Sequence, residues 1–99
     1  MKSDNIPLIR FDSDLEFHEE ISKFEHEIHM RTFYAINKAY NANFNEDVTI
    51  AYLNDRDTIL GCPPDEWIGN LQMSLEYFIS VEEYEKCSEV KQLLDKLQA

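Results

Sequence analysis

A chain of 99 residues has the size of one domain and is too short for two. Twenty acidic residues against nine basic ones give a formal net charge of −11, which argues against binding to a nucleic-acid backbone or an anionic membrane surface, since both require clustered Lys and Arg. Its 43% hydrophobic and 12% aromatic content is enough for a core burying roughly 60–68% of the unfolded surface, which argues against wholesale disorder.

Two glycines and three prolines are few for a strand-rich fold, whose many tight turns draw on those residues. The expected architecture is therefore mainly α: a single helical domain over residues 1–99, with a long N-terminal helix packed on a C-terminal αα-hairpin. Residues 1–11 read as a lead-in in which Ile6–Phe11 pairs or packs as an extended segment. Met1–Arg10 lacks the apolar run of a signal peptide, and no stretch is long enough for a membrane span. Cys62 and Cys87 alone make no disulfide framework. The expected setting is the reducing cytoplasm.

Ser13-Asp14-Leu15-Glu16 matches a capping box, in which the Ser hydroxyl accepts from the backbone three residues on. Behind it Phe17, Ile21, Phe24, Ile28, Ala35 and Ala39 recur at helical spacing. With a stop at Asn41-Ala42-Asn43, this predicts one helix of about 28 residues, roughly 40 Å long. The next segment is ambiguous. Residues 47–53 contain the β-branched run Val48-Thr49-Ile50 and fit a short strand and a short helix equally. Asn54-Asp55-Arg56-Asp57 is turn chemistry.

Pro63-Pro64-Asp65-Glu66 combines a fixed φ with two acids and marks a helix start. Trp67, Ile68, Leu71, Leu75, Phe78 and Ile79 then form an apolar face. Ser80-Val81-Glu82-Glu83 reads as a second capping box, with Ile79 and Tyr84 at the two positions of a hydrophobic staple. Tyr84, Cys87, Val90 or Lys91, Leu94 and Leu97 continue at spacings of three and four. So short a link folds the two helices back on each other. The expected core is Phe17, Ile21, Phe24, Ile28, Trp67, Leu71, Leu75, Phe78, Tyr84, Leu94 and Leu97.

Residues able to carry chemistry are sparse. His18, Glu25 and His29 line one face of the first helix, and His26 lies beside them; these are the candidate metal ligands, with a solvated, titrating polar face as the competing account. The metalloprotease pattern fails because Ser22 stands where the second His is needed. Cys62, at a helix start, is a candidate low-pKa thiol, whereas Cys87 reads as a small packed hydrophobe. Two isolated glycines exclude a phosphate-cradling loop. With no nucleophile–base order either, the chain is not expected to be an enzyme or to hold a cofactor.

The acids are the stronger feature. Asp12, Asp14, Glu16, Glu19, Glu20, Glu25 and Glu27 stand against a single Lys23 and cover the faces that the apolar stripe leaves free. Glu16, Glu19, Glu20 and Glu27 are the candidate partner-binding residues of this band. A rod of carboxylates also roughly imitates the phosphate spacing of nucleic acid, and some phage-encoded inhibitors use that mimicry. The plainer account is a solvated face.

Residues 71–97 resemble the UVR motif, the helical hairpin shared by bacterial excision-repair nuclease subunits and some Clp-chaperone adaptors. Glu82-Glu83-Tyr84-Glu85-Lys86-Cys87-Ser88-Glu89-Val90-Lys91 carries the likeness, with Leu71 and Leu75 as anchors on the preceding helix. It departs at Lys91-Gln92, where family members have an Arg-Asp pair. The resemblance implies a protein-binding hairpin, with Tyr84 and Cys87 as packing anchors and Glu83, Glu85 and Glu89 facing a partner.

The expected function is thus an acidic protein–protein interaction module, an adaptor or regulator binding a basic surface of a larger protein. That partner class includes nucleic-acid-binding enzymes, with no direct contact to nucleic acid or membrane. The rival readings are a nucleic-acid-mimic inhibitor and a metal-binding protein. A long amphipathic helix overhanging a three-helix monomer also favours a homodimer.

Overall fold

The computed structural model describes residues 6–54 and 57–99; residues 1–5 of the lead-in, and Asp55 and Arg56 of the expected turn, lie outside them. The chain runs β1 (Leu8–Ile9), α1 (Asp14–Lys23), α2 (Glu25–Asn41), β2 (Val48–Leu53), β3 (Ile59–Cys62), a 3₁₀ turn (Pro64–Glu66), α3 (Trp67–Ser80) and α4 (Tyr84–Gln98). It is mainly helical with a small three-stranded sheet, and α3 and α4 form the expected hairpin.

The ambiguous segment is a strand. β2 is central in the order β1-β2-β3, parallel to β1 and antiparallel to β3. Leu8 pairs with Tyr52 and Ile9 with Leu53, so the extended reading of the lead-in holds at these two residues. Ile9 is fully buried. The β2–β3 register slips between Thr49 and Ala51, which leaves Ile50 as the extra residue of a bulge. Arg31 of α2 answers that irregularity. It is 6% exposed and donates from Nη2 to the Thr49 carbonyl at 2.6 Å and from Nε to the Ile50 carbonyl at 3.5 Å. A bulge turns carbonyls out of the ladder, and a buried carbonyl needs a donor from elsewhere.

The long first helix is replaced by two. At Phe24 φ is −100° and ψ is 13°, outside the helical well. The Phe24 amide donates to Ile21 O as well as Glu20 O, a tightening of the last turn. Phe17 of α1 meets Phe11 of the lead-in, ring centroids 4.6 Å apart and edge to face. That contact spans elements, so periodicity along one helix carries no trace of it. No residue of α1 is buried; Phe17, Ile21, Phe24 and Ile28 are only partly covered. Ser13 still caps α1, its hydroxyl accepting from Glu16 N at 3.2 Å.

The core lies lower in the chain. Phe33 and Ile36 of α2, Val48 and Ile50 of β2, Trp67, Leu71 and Phe78 of α3, and Cys87, Val90, Leu93 and Leu94 of α4 pack into one cluster. Leu75 and Leu97 lie against it, partly buried. Tyr84 does not join: it is 64% exposed.

Both long-helix stops share one geometry. After α2, Asn43 takes φ 57°, with Asn43 N bonding Tyr40 O at 3.1 Å and Phe44 N bonding Ala39 O at 2.8 Å. After α3, Glu82 takes φ 61°, with Glu82 N on Ile79 O at 3.1 Å and Glu83 N on Phe78 O at 2.9 Å. Each is a Schellman motif, in which a left-handed residue caps the last carbonyls. The second replaces the predicted capping box. Ser80 is the last residue of α3 and its hydroxyl donates back to Tyr77 O at 2.6 Å, so it is not an N-cap.

Candidate functional site

The α3–α4 turn is where the sequence's acidic and apolar signals meet. With Glu82 left-handed, the chain turns within Val81–Glu83 and lifts its flanking apolar residues into solvent. Ile79 is 48% exposed, Val81 43% and Tyr84 64%. The predicted staple of Ile79 on Tyr84 fails because it requires Ser80 as the N-cap, whereas α4 begins after Glu83. Around the three apolar residues, Glu76, Glu82, Glu83 and Glu85 are exposed.

Tyr77, one turn back, joins this tip to the start of α2. The His29 ring stacks on the Tyr77 ring, centroids 4.5 Å apart and 17° between planes, and His29 Nδ1 shares a 2.7 Å hydrogen bond with Ser74 Oγ. His26 Nδ1 and the Tyr77 hydroxyl are 3.0 Å apart. Burial pushes the Tyr77 hydroxyl up, and the Glu25 and Glu83 carboxylates push it in the same direction. Acids far apart in sequence, at the start of α2 and of α4, are therefore close enough to act on one phenol.

The seven predicted partner-binding acids fall into three groups. Glu19 and Glu27 of α1 and α2, and Glu83 and Glu85 at the tip, are exposed, and no ion pair involves them among the described residues. Glu20 and Glu89 are partly answered within the chain: Lys23 Nζ lies 2.8 Å from Glu20, which raises the Lys23 pKa, and Lys86 Nζ lies 2.9 Å from Glu89 while covering the Phe33 ring at 4.9 Å. Glu16 is half-buried in the first turn of α1.

The histidines do not converge as ligands. His26 and His29 are bonded to α3, while exposed His18 stands before the Phe24 bend. Among the described residues no group of three His, Cys, Asp or Glu has the geometry to hold a metal ion. Burial lowers the His29 pKa against an opposing pull from Glu25. The low-pKa thiol is also overturned. Cys62 is buried, and burial pushes its thiol up despite the amide of Asn70, which donates to Sγ at 2.8 Å. Among the described residues no helix is long and apolar enough to cross a membrane.

No protein-family model, characterised protein or solved structure matches this chain. The exposed apolar tip escapes a reading by stripes because it depends on where α3 stops, and the Tyr77 hub because it depends on α3 packing against α2. No local signal marked the turn, since its left-handed position holds Glu82 where a helix end favours Gly or Asn.

Proposed function

We propose that this protein is an acidic interaction module, an adaptor or regulator without catalysis of its own, that binds a basic surface of a larger protein through the α3–α4 turn. One observation carries the reading: Ile79, Val81 and Tyr84 are all exposed at one turn of the chain, in a stretch that also exposes Glu76, Glu82, Glu83 and Glu85. Covering such side chains is worth roughly 1.5–3 kcal/mol each when complete. A carboxylate border steers an oppositely charged partner and makes association salt-sensitive. The likeness of residues 71–97 to UVR hairpins, which bind proteins, supports the same role.

The nucleic-acid-mimic reading draws on the same charge, but the bend at Phe24 interrupts the rod of carboxylates that it needs. The homodimer reading likewise loses the overhanging helix on which it stood. Parallel affinity purifications from the native host, with the wild type and with Ile79→Ser/Val81→Ser/Tyr84→Ser, test the proposal. The expected result is a basic-surfaced protein retained by the wild type, lost with the variant, and bound more weakly as salt rises. Equal retention by both baits overturns the assignment to the tip, and displacement of the partner by duplex DNA favours the mimic.

A further inference from the structure

Ala35, Ala39 and Ala42 recur at helical spacing along α2 and its C-cap, on one face of the helix. Three small side chains in line leave room above them. Tyr34, Phe44 and the start of β2 complete an open groove of about 420 Å³ there, within the size range of small-molecule sites. Buried Ala39 and Val48 lie at its floor. The rest of its apolar lining meets water: Ala42 is exposed, Tyr34 and Ala35 are half-buried, and Phe44 is 46% exposed. The Phe44 backbone is nonetheless fixed by the bond from its amide to Ala39 O. From Ala35 to Ala42 the helix rises roughly 10 Å, the reach of a medium-chain acyl group.

The charges of the lining narrow the ligand. Arg31 Cζ lies 5.7 Å and Lys38 Nζ 5.8 Å from the centroid of the Tyr34 ring, so two cations gather about one wall of the groove. Their roles differ. Arg31 is buried and turns its guanidinium to the Thr49 and Ile50 carbonyls, so it lends positive field without a fork to grip a ligand. Lys38 is exposed, and no ion pair involves it among the described residues; its ammonium is the head-group contact. One ammonium is a point charge rather than a bidentate clamp. A chain of net charge −11 also repels each further negative charge on a ligand. Both facts select a singly charged anion over a phosphate. Asp47 lines the groove as well, which makes the sign of the ligand's charge open to direct test.

We infer that this groove binds a monoanionic amphiphile of the medium-chain carboxylic acid class, its carboxylate on Lys38 and its acyl chain along Ala35, Ala39 and Ala42 against Phe44. The site is separate from the hairpin tip, and each stands if the other fails. Decanoate, kept below its micellar concentration, is titrated into the full chain and followed by calorimetry and by amide NMR. The expected result is saturable one-to-one binding with shifts centred on Ala35, Lys38, Ala42 and Phe44. Affinity falls about twofold to fourfold for each methylene removed on going to octanoate. It falls about fivefold in Lys38→Gln and rises about twofold in Asp47→Asn. Phe44→Ala, at an exposed position, weakens binding about tenfold, and a melting temperature equal to wild type separates loss of contact from loss of fold. No saturable binding, decylamine or decanol binding as tightly as decanoate, or shifts centred elsewhere in the chain overturns the inference.

Discussion

Replacing Glu82 by glycine tests the least expected feature of the hairpin. Glu82 holds φ 61° so that two amides can reach the last carbonyls of α3. For a residue with a side chain, the left-handed region costs roughly 1–2 kcal/mol. Glycine removes that cost but widens the unfolded ensemble, which takes back roughly 0.4–1 kcal/mol. The net expectation for Glu82→Gly is a gain of about 0.5–1 kcal/mol. For a domain of this size that raises the melting temperature by roughly 2–8 °C. Deleting a carboxylate from a chain of net charge −11 relieves repulsion by itself, so Glu82→Ala is the necessary control: it loses the same charge and keeps the backbone cost. Ser80→Ala completes the set. If Ser80 were an N-cap, its loss would cost about 1 kcal/mol; with its hydroxyl donating to Tyr77 O, the cost is close to zero. Thermal unfolding by circular dichroism at one pH and salt reads all three. A Glu82→Gly protein melting no higher than Glu82→Ala refutes the strained turn, and a full cap's loss in Ser80→Ala restores the capping box.

Arg31→Met leaves the Thr49 and Ile50 carbonyls of the bulge without their guanidinium donor and is expected to cost about 2–4 kcal/mol; a urea midpoint equal to wild type contradicts that role. Because burial lowers the His29 pKa from its usual 6.5, the unfolded chain takes up that proton first. The stability His29 contributes is therefore present above about pH 6.5 and is lost as pH falls through its folded-state pKa, so the melting temperature of wild type should fall faster than that of His29→Gln on acidification; parallel curves sink the assignment. Cys62, buried and with its pKa pushed up, should resist iodoacetamide at neutral pH in the native protein and react once urea is added. Alkylation of native Cys62 at the rate of a free thiol, read by mass spectrometry, would show the site to be open.

Local chemistry alone determined much of this protein. The apolar spacing from Trp67 to Phe78 and from Cys87 to Leu94 is read within single helices, and those residues do form the core. The stop at Asn41–Asn43 is equally local, since Asn tolerates a left-handed φ. The acids were legible too, for charge is a property of composition. Tertiary structure decided what depends on two distant segments at once. Val48–Leu53 is a strand because Leu8 and Ile9 lie beside it on one edge and Ile59–Cys62 on the other; periodicity over six residues cannot choose between strand and helix. The long amphipathic pattern also breaks at Phe24, whose φ of −100° and ψ of 13° end α1. At the candidate site the residues of a capping box and staple were present, but a competing cap satisfied the carbonyls of α3 first. Whether Ile79 and Tyr84 close on each other or face solvent was settled by that choice of cap, a balance of hydrogen bonds across the turn that the four-residue motif does not encode.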